Sequence, residues 1–317
     1  MEFGWNPEQE AHRARIRDLL RDTLPKDWEE LSVHGPGSDY QADYSRTFCK
    51  LLADQALLVP HWPAEQGGED MPVWHQFILG EEMWAAGEPR GAQYMNVNWL
   101  GPVLMKYGTP EQIDRYLAPV RAGEAIWCQG FSEPSAGSDL AALRTAAVPV
   151  EGGYPVSGAK IWTSYAGKAD TCFLLARVPA SEGGAAGKGG IVILLTDMRS
   201  PGIQVKQIPA LVGEGDIHEM FFDDVFVPAT NRLGEEGQAW EIINFALANE
   251  RTGIARYEFS RRILDRAVER LKAEGRWADP VVQDRAARAL MLCEAARALV
   301  YRVVDAKAHR SPPDAYP

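Results

Sequence analysis

The spacing of apolar residues changes twice along the chain. In the first part, apolar side chains recur at helical intervals, as Ile16, Leu19 and Leu20 do in the first segment. Pro7 stands just before that segment, where a proline favours the start of a helix. The pattern therefore predicts an all-helical N-terminal domain over residues 1–121.

The helical spacing disappears between residues 122 and 230. Short runs rich in Val, Ile, Phe and Thr alternate there with turns rich in Gly, Pro and Asp, which predicts a β-barrel or β-sandwich domain. The predicted strands are Ala125–Gly130, Leu143–Val150, Tyr154–Thr163, Thr171–Arg177, Ile191–Asp197, Ile203–Ile208 and His218–Phe226. The small residues at positions 180–190 predict an exposed loop.

Helical spacing returns over residues 231–317, which are predicted to form a C-terminal helical bundle. Ile243, Leu247, Glu250 and Ile254 follow one another at steps of four, three and four residues, so they share one face of a helix. The three regions together predict a multidomain α+β protein with a β domain between two helical domains.

Composition limits the class of protein. The net charge of −11 and the pI near 5.1 argue against nonspecific binding to nucleic acid or to an anionic membrane. The four cysteines are far apart, which favours reduced thiols, and the six histidines lack metal-binding spacing, so no metal site is predicted. The sequence has no secretory leader and no apolar run that would cross a bilayer, so a cytoplasmic location is expected.

Two neighbouring segments carry candidate chemistry. The first reads FSEPSAGSD at residues 131–139, where Pro134 fixes the backbone and Gly137 allows a positive φ. Such a loop can point several backbone N–H groups at an anionic or carbonyl-rich ligand. The second reads KIWTS at residues 160–164 and offers an indole beside two hydroxyls, which suits a flat heteroaromatic ligand. Loop chemistry alone favours an ordinary turn followed by an ordinary strand.

Glu250 is a carboxylate on an otherwise apolar helix face, and burying it ionised would be costly. One interpretation is structural: an ion pair with Arg251 or Arg256, or a helix edge that faces solvent. The other is functional, because desolvation raises the pKa of a carboxyl group toward neutrality, where it can act as a general base. The pattern alone leaves both interpretations open.

These residues, together with others along nearly the whole chain, resemble the acyl-CoA dehydrogenase family. The segments that carry the resemblance are NPEQ at 6–9, WPAEQGG at 62–68, FSEPSAGSD at 131–139, GAKIWTS at 158–164, FFDDVFVP at 221–228 and LANER at 247–251. They lie in the family's order and at about its spacing.

The resemblance implies an FAD-dependent α,β-dehydrogenation of an acyl-CoA thioester. Glu250 is then the catalytic base, as in the isovaleryl- and long-chain-type members that carry this glutamate on the same helix, and Arg251 meets the CoA moiety. The β-hydride would pass to flavin N5. The implied cofactor-binding residues are Phe131, Ser132, Gly137, Ser138, Trp162, Thr163 and Ser164, with Ser138 near the flavin phosphates or the CoA substrate.

The sequence departs from the family pattern at three points. The family arginine followed by Phe-Gly is missing after the proposed base, where EGRWADP occupies residues 274–280, and Ala248 stands where an aspartate is common. The chain also stops at Pro317, where the family normally continues through further helices. Ala248 bears on the CoA contact alone. For the other two departures, either the chain is a shortened form with an incomplete C-terminal helical bundle, or a second subunit of the same fold supplies the rest, and we hypothesise a homo- or hetero-oligomer.

Three functions follow from the resemblance. The first is an FAD-dependent dehydrogenase that passes electrons to an electron-transfer flavoprotein. The second is a non-catalytic or flavin-sharing partner subunit of a heteromeric acyl-CoA dehydrogenase. The third is a related flavin oxidase or monooxygenase that uses oxygen.

Overall fold

The computed structural model describes residues 4–35, 38–179, 182, 187–210, 217–251 and 255–309. The chain forms two compact units, one of residues 1–33, 59–89 and 251–317, the other of residues 34–58 and 90–250. The predicted domain boundaries after residues 121 and 230 remain predictions. Most of the predicted loop at 180–190 lies outside the described residues.

The described helices fall before and after the β region, as the apolar spacing predicted. They are α1 Pro7–Thr23, α2 Trp28–Leu31, α3 Asp39–Asp54, α4 Val73–Ala85, α5 Gln93–Met95, α6 Gly101–Tyr107, α7 Pro110–Gln112, α8 Ala118–Arg121, α9 Ala239–Arg251, α10 Arg256–Ala273 and α11 Pro280–Ala308. π-Helical turns at Asn96–Leu100 and Ile113–Leu117 continue α5 into α6 and α7 into α8. No helix among the described residues has both the length and the apolar character needed to cross a bilayer.

Local chemistry accounts for several helix ends. The Asn6 side chain accepts the N–H of Gln9 at the start of α1, and the Gln9 side chain accepts the N–H of Asn6 in return. Asp279 accepts the N–H of Val281 at the start of α11. Gly275 follows α10 with a φ of +70°, a left-handed conformation that glycine adopts without steric cost.

In the first unit, α1, α10 and α11 contact α4 and enclose a buried acidic side chain. Glu81 on α4 is 4% exposed. Its carboxylate accepts hydrogen bonds from Arg13 at 2.6 Å, from the Tyr257 hydroxyl at 2.5 Å and from the Tyr301 hydroxyl at 2.9 Å. These donors compensate the cost of burying the charge.

Glu258 is a partly buried acid in the same unit whose neighbours do not offset the cost of burying its charge. This leads to a prediction about the free energy of unfolding. Burial raises the pKa of Glu258, and repulsion from Glu81 raises it further, while Arg261 opposes the shift. A carboxyl group whose pKa is raised by folding destabilises the folded state at pH values where it is ionised. We therefore expect Glu258→Gln to increase the free energy of unfolding at pH 7 in urea titrations.

The pH dependence of this gain checks its cause. The advantage of Glu258→Gln should shrink as the pH falls toward about 4.3, the ordinary value for a glutamate, because Glu258 then becomes protonated in the parent protein. Glu30→Gln, at an exposed position on α2, serves as the matched control and should change little at any pH. A gain from Glu258→Gln that is constant with pH would contradict the electrostatic explanation.

The second unit contains one connected sheet of eight strands. The strands are β1 Trp127–Gly130, β2 Ala146–Ala147, β3 Gly153–Ser164, β4 Thr171–Arg177, β5 Ile191–Asp197, β6 Ile203–Gln207, β7 Ile217–Pro228 and β8 Arg232–Leu233. Their order is β6-β7-β3-β2-β4-β5-β8, and β1 pairs with β4. The pairs β1–β4 and β2–β4 are parallel, and the other pairs are antiparallel.

The strand predicted at Leu143–Val150 is too long, since only Ala146–Ala147 pair as β2. Two physical reasons account for the difference. The backbone N–H groups of Arg144 and Thr145 donate to the Glu133 carboxylate instead of to a strand. Farther along, Pro149 has no N–H to donate. The short strand β8 was not predicted from the sequence.

The two faces of strands β1 and β4 pack against different residues. Cys128 and Cys172 are register partners and belong to a buried apolar cluster with Leu174 and Val192. Phe173 alternates with these residues along β4 and therefore faces the other way. Its ring meets the buried Trp99 of the first π-helical turn with ring centroids 5.2 Å apart. This second face leads to the candidate site.

Candidate active site

A buried ion pair joins the two segments singled out in the sequence. Lys160 on β3 is fully buried, and its Nζ donates to Oε1 of Glu133 at 2.8 Å and to the carbonyl oxygen of Phe131 at 3.2 Å. The Glu133 carboxylate also accepts the N–H groups of Arg144 at 2.7 Å and Thr145 at 2.8 Å. Glu133 thereby holds the loop that follows β1 against strand β3.

The electrostatics of this pair follow from its burial. Burial works to raise the pKa of Glu133, but attraction to the Lys160 ammonium and the hydrogen bonds it accepts outweigh that effect, so the pKa lies below its ordinary value. Burial lowers the pKa of Lys160, and the Glu133 carboxylate opposes this only in part. The pair therefore acts as a structural clamp between the loop that follows β1 and strand β3.

Trp162 has an unusual backbone conformation. Its φ is +62°, in the left-handed region that a bulky aromatic residue rarely occupies. The pairing of β3 with β7 explains the conformation, because Lys160 faces Met220 and Thr163 faces His218, which leaves one extra residue on β3. This β-bulge turns the indole outward, and the side chain is 62% exposed. A large aromatic surface is thus presented to solvent at an energetic cost, which points to a functional use.

The hydroxyls that follow Trp162 differ in their surroundings. Thr163 is 1% exposed, and no hydrogen-bond partner for its Oγ1 is found within the described part of the chain. A buried hydroxyl without a partner is costly, so it fits a place where a ligand supplies the missing hydrogen bond. Ser164 is exposed and lies next along the strand.

Trp162 and Ser164 border a small recess of about 310 Å³, including its open mouth. The other residues that line it are Met95, Trp99, Trp127, Cys128, Gln129 and Tyr165. Trp99 is fully buried there, and its indole N–H has no partner among the described residues. The lining therefore combines aromatic surface with a few polar atoms, the usual composition of a small-molecule site.

Glu250 is connected to this recess through one of its lining residues. The amide Nε2 of Gln129 donates to Oε2 of Glu250 at 3.2 Å. Glu250 lies in the last turn of α9 and is half-buried, while Ile243 on the same helix is fully buried. The structure thus brings Glu250 to strand β1 beside the recess that Trp162 borders.

The remaining predicted residues occupy different positions. Phe131 is buried, and its ring centroid lies 5.8 Å from that of Phe173, so its side chain belongs to the core. Ser132 accepts the N–H of Ile161 through its carbonyl oxygen at 2.9 Å, which ties the loop to β3. Ser138 is exposed at the far end of the loop.

The expected use of Gly137 needs a correction. Its φ lies outside the left-handed region, so the loop does not use the freedom that a glycine offers. Instead, Glu133 and Ala136 form a tight bridge that turns the chain. A Cβ added at Gly137 would meet nothing within 4 Å, so the backbone there is open to a ligand.

The structural interpretation of Glu250 named Arg251 and Arg256 as ion-pair partners. The side chain of Arg251 and all of Ile254 lie outside the described residues, so the predicted CoA contact of Arg251 remains a prediction. The guanidinium carbon of Arg256 lies 5.4 Å from the ring centroid of Trp84.

The cysteines are not disulfide-bonded, and the described residues contain no metal-binding cluster. Cys49, Cys128 and Cys172 are buried. A hydrogen bond with Cys172 together with burial raises the pKa of Cys128 well above its ordinary value. Over the described ranges, no group of three His, Cys, Asp or Glu side chains could hold a metal ion.

Sequence reasoning missed Gln129 and the roles of Glu133 and Lys160. Glu133 lies in the FSEPSAGSD segment and Lys160 in the KIWTS segment. Each is a charged residue among apolar or small residues, and their opposite charges could have indicated that the two side chains pair. Gln129 gave no comparable signal, because its partner is 121 residues away along the chain.

Comparisons with known proteins cover the same regions. The acyl-CoA dehydrogenase N-terminal domain matches residues 6–124, the middle domain matches residues 128–225, and the C-terminal domain matches residues 237–316. The order of these domains confirms the predicted fold class of a β domain between two helical domains.

Individual relatives agree with the domain matches. Acyl-CoA dehydrogenase FadE34 of Mycobacterium tuberculosis is 38% identical over 80% of this chain, which spans 35% of that protein's length. Acyl-CoA dehydrogenase IpdE1 of the same organism is 32% identical over 96% of this chain and 79% of its own length. The solved Tcur3481-Tcur3483 steroid ACAD has a TM-score of 0.87 and 29% identity, covering 98% of this chain and 79% of that one. From the three domain matches and these relatives, we conclude that the chain belongs to the acyl-CoA dehydrogenase family.

Proposed function

We propose that the protein is an FAD-dependent acyl-CoA dehydrogenase with Glu250 as its catalytic base. The observation that carries the proposal is the hydrogen bond between Glu250 and Gln129, because Gln129 lines the same recess as Trp162 and Ser164. A carboxylate, an exposed indole and a strand-end hydroxyl are thus connected within one compact unit. Family membership supports an oxidoreductase that acts on an acyl-CoA thioester.

The residues on β3 fit a flavin. The indole of Trp162 is 62% exposed and offers a stacking face for a flat ring system. The Oγ1 of Thr163, for which the described residues supply no partner, offers a hydrogen bond to a ring heteroatom. Phe131, Ser132 and Ser164 complete the proposed ring contacts, while Gly137 and Ser138 provide open backbone and a hydroxyl for the phosphates.

The protein's part of the reaction is to position the substrate and to remove a proton. When bound, FAD supplies the acceptor for a hydride from the β-carbon of the acyl chain. Glu250 takes the α-proton, which needs a carboxylate that is held in place and kept partly from water. Arg251 and Ser138 are proposed to bind the CoA moiety.

A flavin-sharing subunit of a heteromer is a second candidate. The name of the solved Tcur3481-Tcur3483 steroid ACAD joins two proteins, and the fold of this chain is similar to that structure over 98% of its residues. In this arrangement a second chain of the same fold would complete the flavin site. Electron-transfer flavoprotein is the proposed electron acceptor in either case.

Purification and spectroscopy test the proposal. A yellow protein whose flavin absorbance is bleached by an acyl-CoA under anaerobic conditions supports it. The panel should contain straight-chain, branched and steroid-bearing thioesters, because the similar solved structure is named a steroid enzyme. A colourless protein that becomes yellow only with a co-expressed homologue supports the second candidate, and failure of both preparations to bind flavin would overturn the proposal.

Trp162 is predicted to stabilise the bound flavin. We expect Trp162→Ala to weaken FAD binding about tenfold, which corresponds to a loss of roughly 1–2 kcal/mol of aromatic stacking. The unfolding midpoint of flavin-free protein should change little, because the indole is 62% exposed. Titration of flavin fluorescence measures the affinity.

Phe226→Ala is the matched control, since Phe226 is also an exposed aromatic residue on the same sheet, 51% exposed on β7. This substitution should leave FAD affinity unchanged. Equal losses from Trp162→Ala and Phe226→Ala would show that stacking on Trp162 is not what holds the cofactor.

A further inference from the structure

Gln129 stands between the recess and Glu250, and its part in the reaction is not explained by the fold alone. We propose that Gln129 is a positioning residue, which holds the carboxylate of Glu250 through the hydrogen bond from Nε2 to Oε2. The inference rests on the proposed function of Glu250 as the base. Gln129 lies on strand β1, whereas Glu250, the proposed base, lies on helix α9.

Strand geometry places the Gln129 side chain on the face of the sheet that carries the candidate site. Residues alternate along β1, so the side chain of Gln129 points away from that of Cys128, which packs in the buried apolar cluster while atoms of Cys128 also border the recess. Gln129 is the register partner of Phe173, whose ring contacts Trp99 and Phe131. The strand that carries Gln129 is thereby fixed on its inner and outer faces, so the amide has a rigid support.

The chemistry of the amide suits a base. Glu250 lies in the last turn of α9, where the carbonyl ends of the helix carry partial negative charge and a carboxylate gains from a hydrogen-bond donor. A lysine or arginine at position 129 would bind the carboxylate as an ion pair and oppose its protonation. A neutral amide restricts the side chain of Glu250 through a hydrogen bond and places no charge beside it.

The contrast with Glu133 in the same unit supports this assignment. The Glu133 carboxylate accepts from an ammonium and from two backbone N–H groups, and it is 6% exposed. That arrangement stabilises the ionised form and serves the structure. Glu250 is half-buried, and the donor that the described residues give it is the neutral amide of Gln129, an arrangement that orients the carboxylate through one hydrogen bond.

Exchange of the substrate α-proton tests the proposal. The flavin-loaded protein is incubated in D2O with a saturated acyl-CoA that the parent accepts, without an electron acceptor, and deuterium uptake at the α-carbon is followed by mass spectrometry. We expect Gln129→Leu to slow uptake by about 10- to 100-fold, as misplacement of a reacting group does, while KM changes less than about twofold. Gln204→Leu, the same change at an exposed position on β6, is the control and should behave as the parent.

A second readout separates positioning from a general loss of structure. In a double-mutant cycle of Gln129→Leu and Glu250→Ala, which removes the acceptor oxygens, urea unfolding of the purified protein should show coupling of about tenfold in the unfolding equilibrium constant, as for residues in direct contact. Deuterium uptake at the parental rate in Gln129→Leu, or absence of coupling, would overturn the proposal. Failure of the parent itself to exchange the proton, with every variant equally inactive, would instead overturn the proposed function of Glu250.

Discussion

Glu250→Gln is expected to reduce the rate of acyl-CoA dehydrogenation by about 10²- to 10⁴-fold, the usual contribution of a positioned general base. The amide has nearly the same volume as the carboxylate but cannot take the α-proton. Because the helix and the recess keep their packing, binding of a non-reactive acyl-CoA analogue and the flavin spectrum should stay close to those of the parent. Single-turnover bleaching of the flavin measures the chemical step directly.

The matched control for this variant is Glu241→Gln, on the same helix. Glu241 is exposed and accepts a hydrogen bond from the Tyr107 hydroxyl at 2.8 Å, so it repeats the chemical change away from the recess. It should retain parental activity. Dehydrogenation that survives Glu250→Gln would favour the flavin-sharing partner subunit, in which the base comes from another chain.

Lys160→Met is expected to lower the free energy of unfolding by about 3–5 kcal/mol, because it leaves the buried carboxylate of Glu133 without its counter-ion. The loss should shrink in the double variant Lys160→Met, Glu133→Gln, since a neutral amide is cheaper to bury than an unpaired charge. Urea titrations of the two variants and the parent provide the comparison. Lys206→Met removes an exposed lysine from β6 and should cost little.

The pH dependence of this loss has a defined sign. In the parent, the lowered pKa of Glu133 contributes stability that is present above its unfolded value of about 4.3 and is lost as the pH falls through the folded value. Without Lys160, burial still favours the protonated form of Glu133, and only the hydrogen bonds from Arg144 and Thr145 named above oppose it. The difference between parent and Lys160→Met should therefore narrow as the solution is acidified, and a difference that widens would contradict the assignment.

Local pattern was sufficient for much of the fold. Apolar spacing located the helices that contain Ile16 and Ile243, and short runs rich in Val, Ile, Phe and Thr located Thr171–Arg177 and Ile191–Asp197 with their observed ends. The two helices form their backbone hydrogen bonds within themselves, and the two strands pair with each other along their full length. The residues within each of these helices and strands are therefore sufficient to predict where the element begins and ends.

The candidate site was only partly predictable, because its geometry depends on pairing between distant segments. The indole of Trp162 was expected at a ligand surface, but its outward turn arises from the register of β3 against β7. The Glu133 carboxylate accepts hydrogen bonds from the N–H groups of Arg144 and Thr145, at the start of the strand predicted over residues 143–150. Local strand propensity does not include a hydrogen bond to a side chain outside the segment. The contact of Gln129 with Glu250 exists only once α9 has packed near β1.

The single extra residue of β3 has a consequence for how this segment can be altered. Lys160 and Thr163 are both buried, and they pair with Met220 and His218, which have a single residue between them. Removing one residue between Lys160 and Thr163 would therefore restore regular pairing with β7 and leave both side chains facing inward, but it would abolish the bulge that holds the backbone of Trp162 at a φ of +62°. Redesign of this segment can vary its side chains one at a time, but it must keep the extra residue if the indole is to stay exposed.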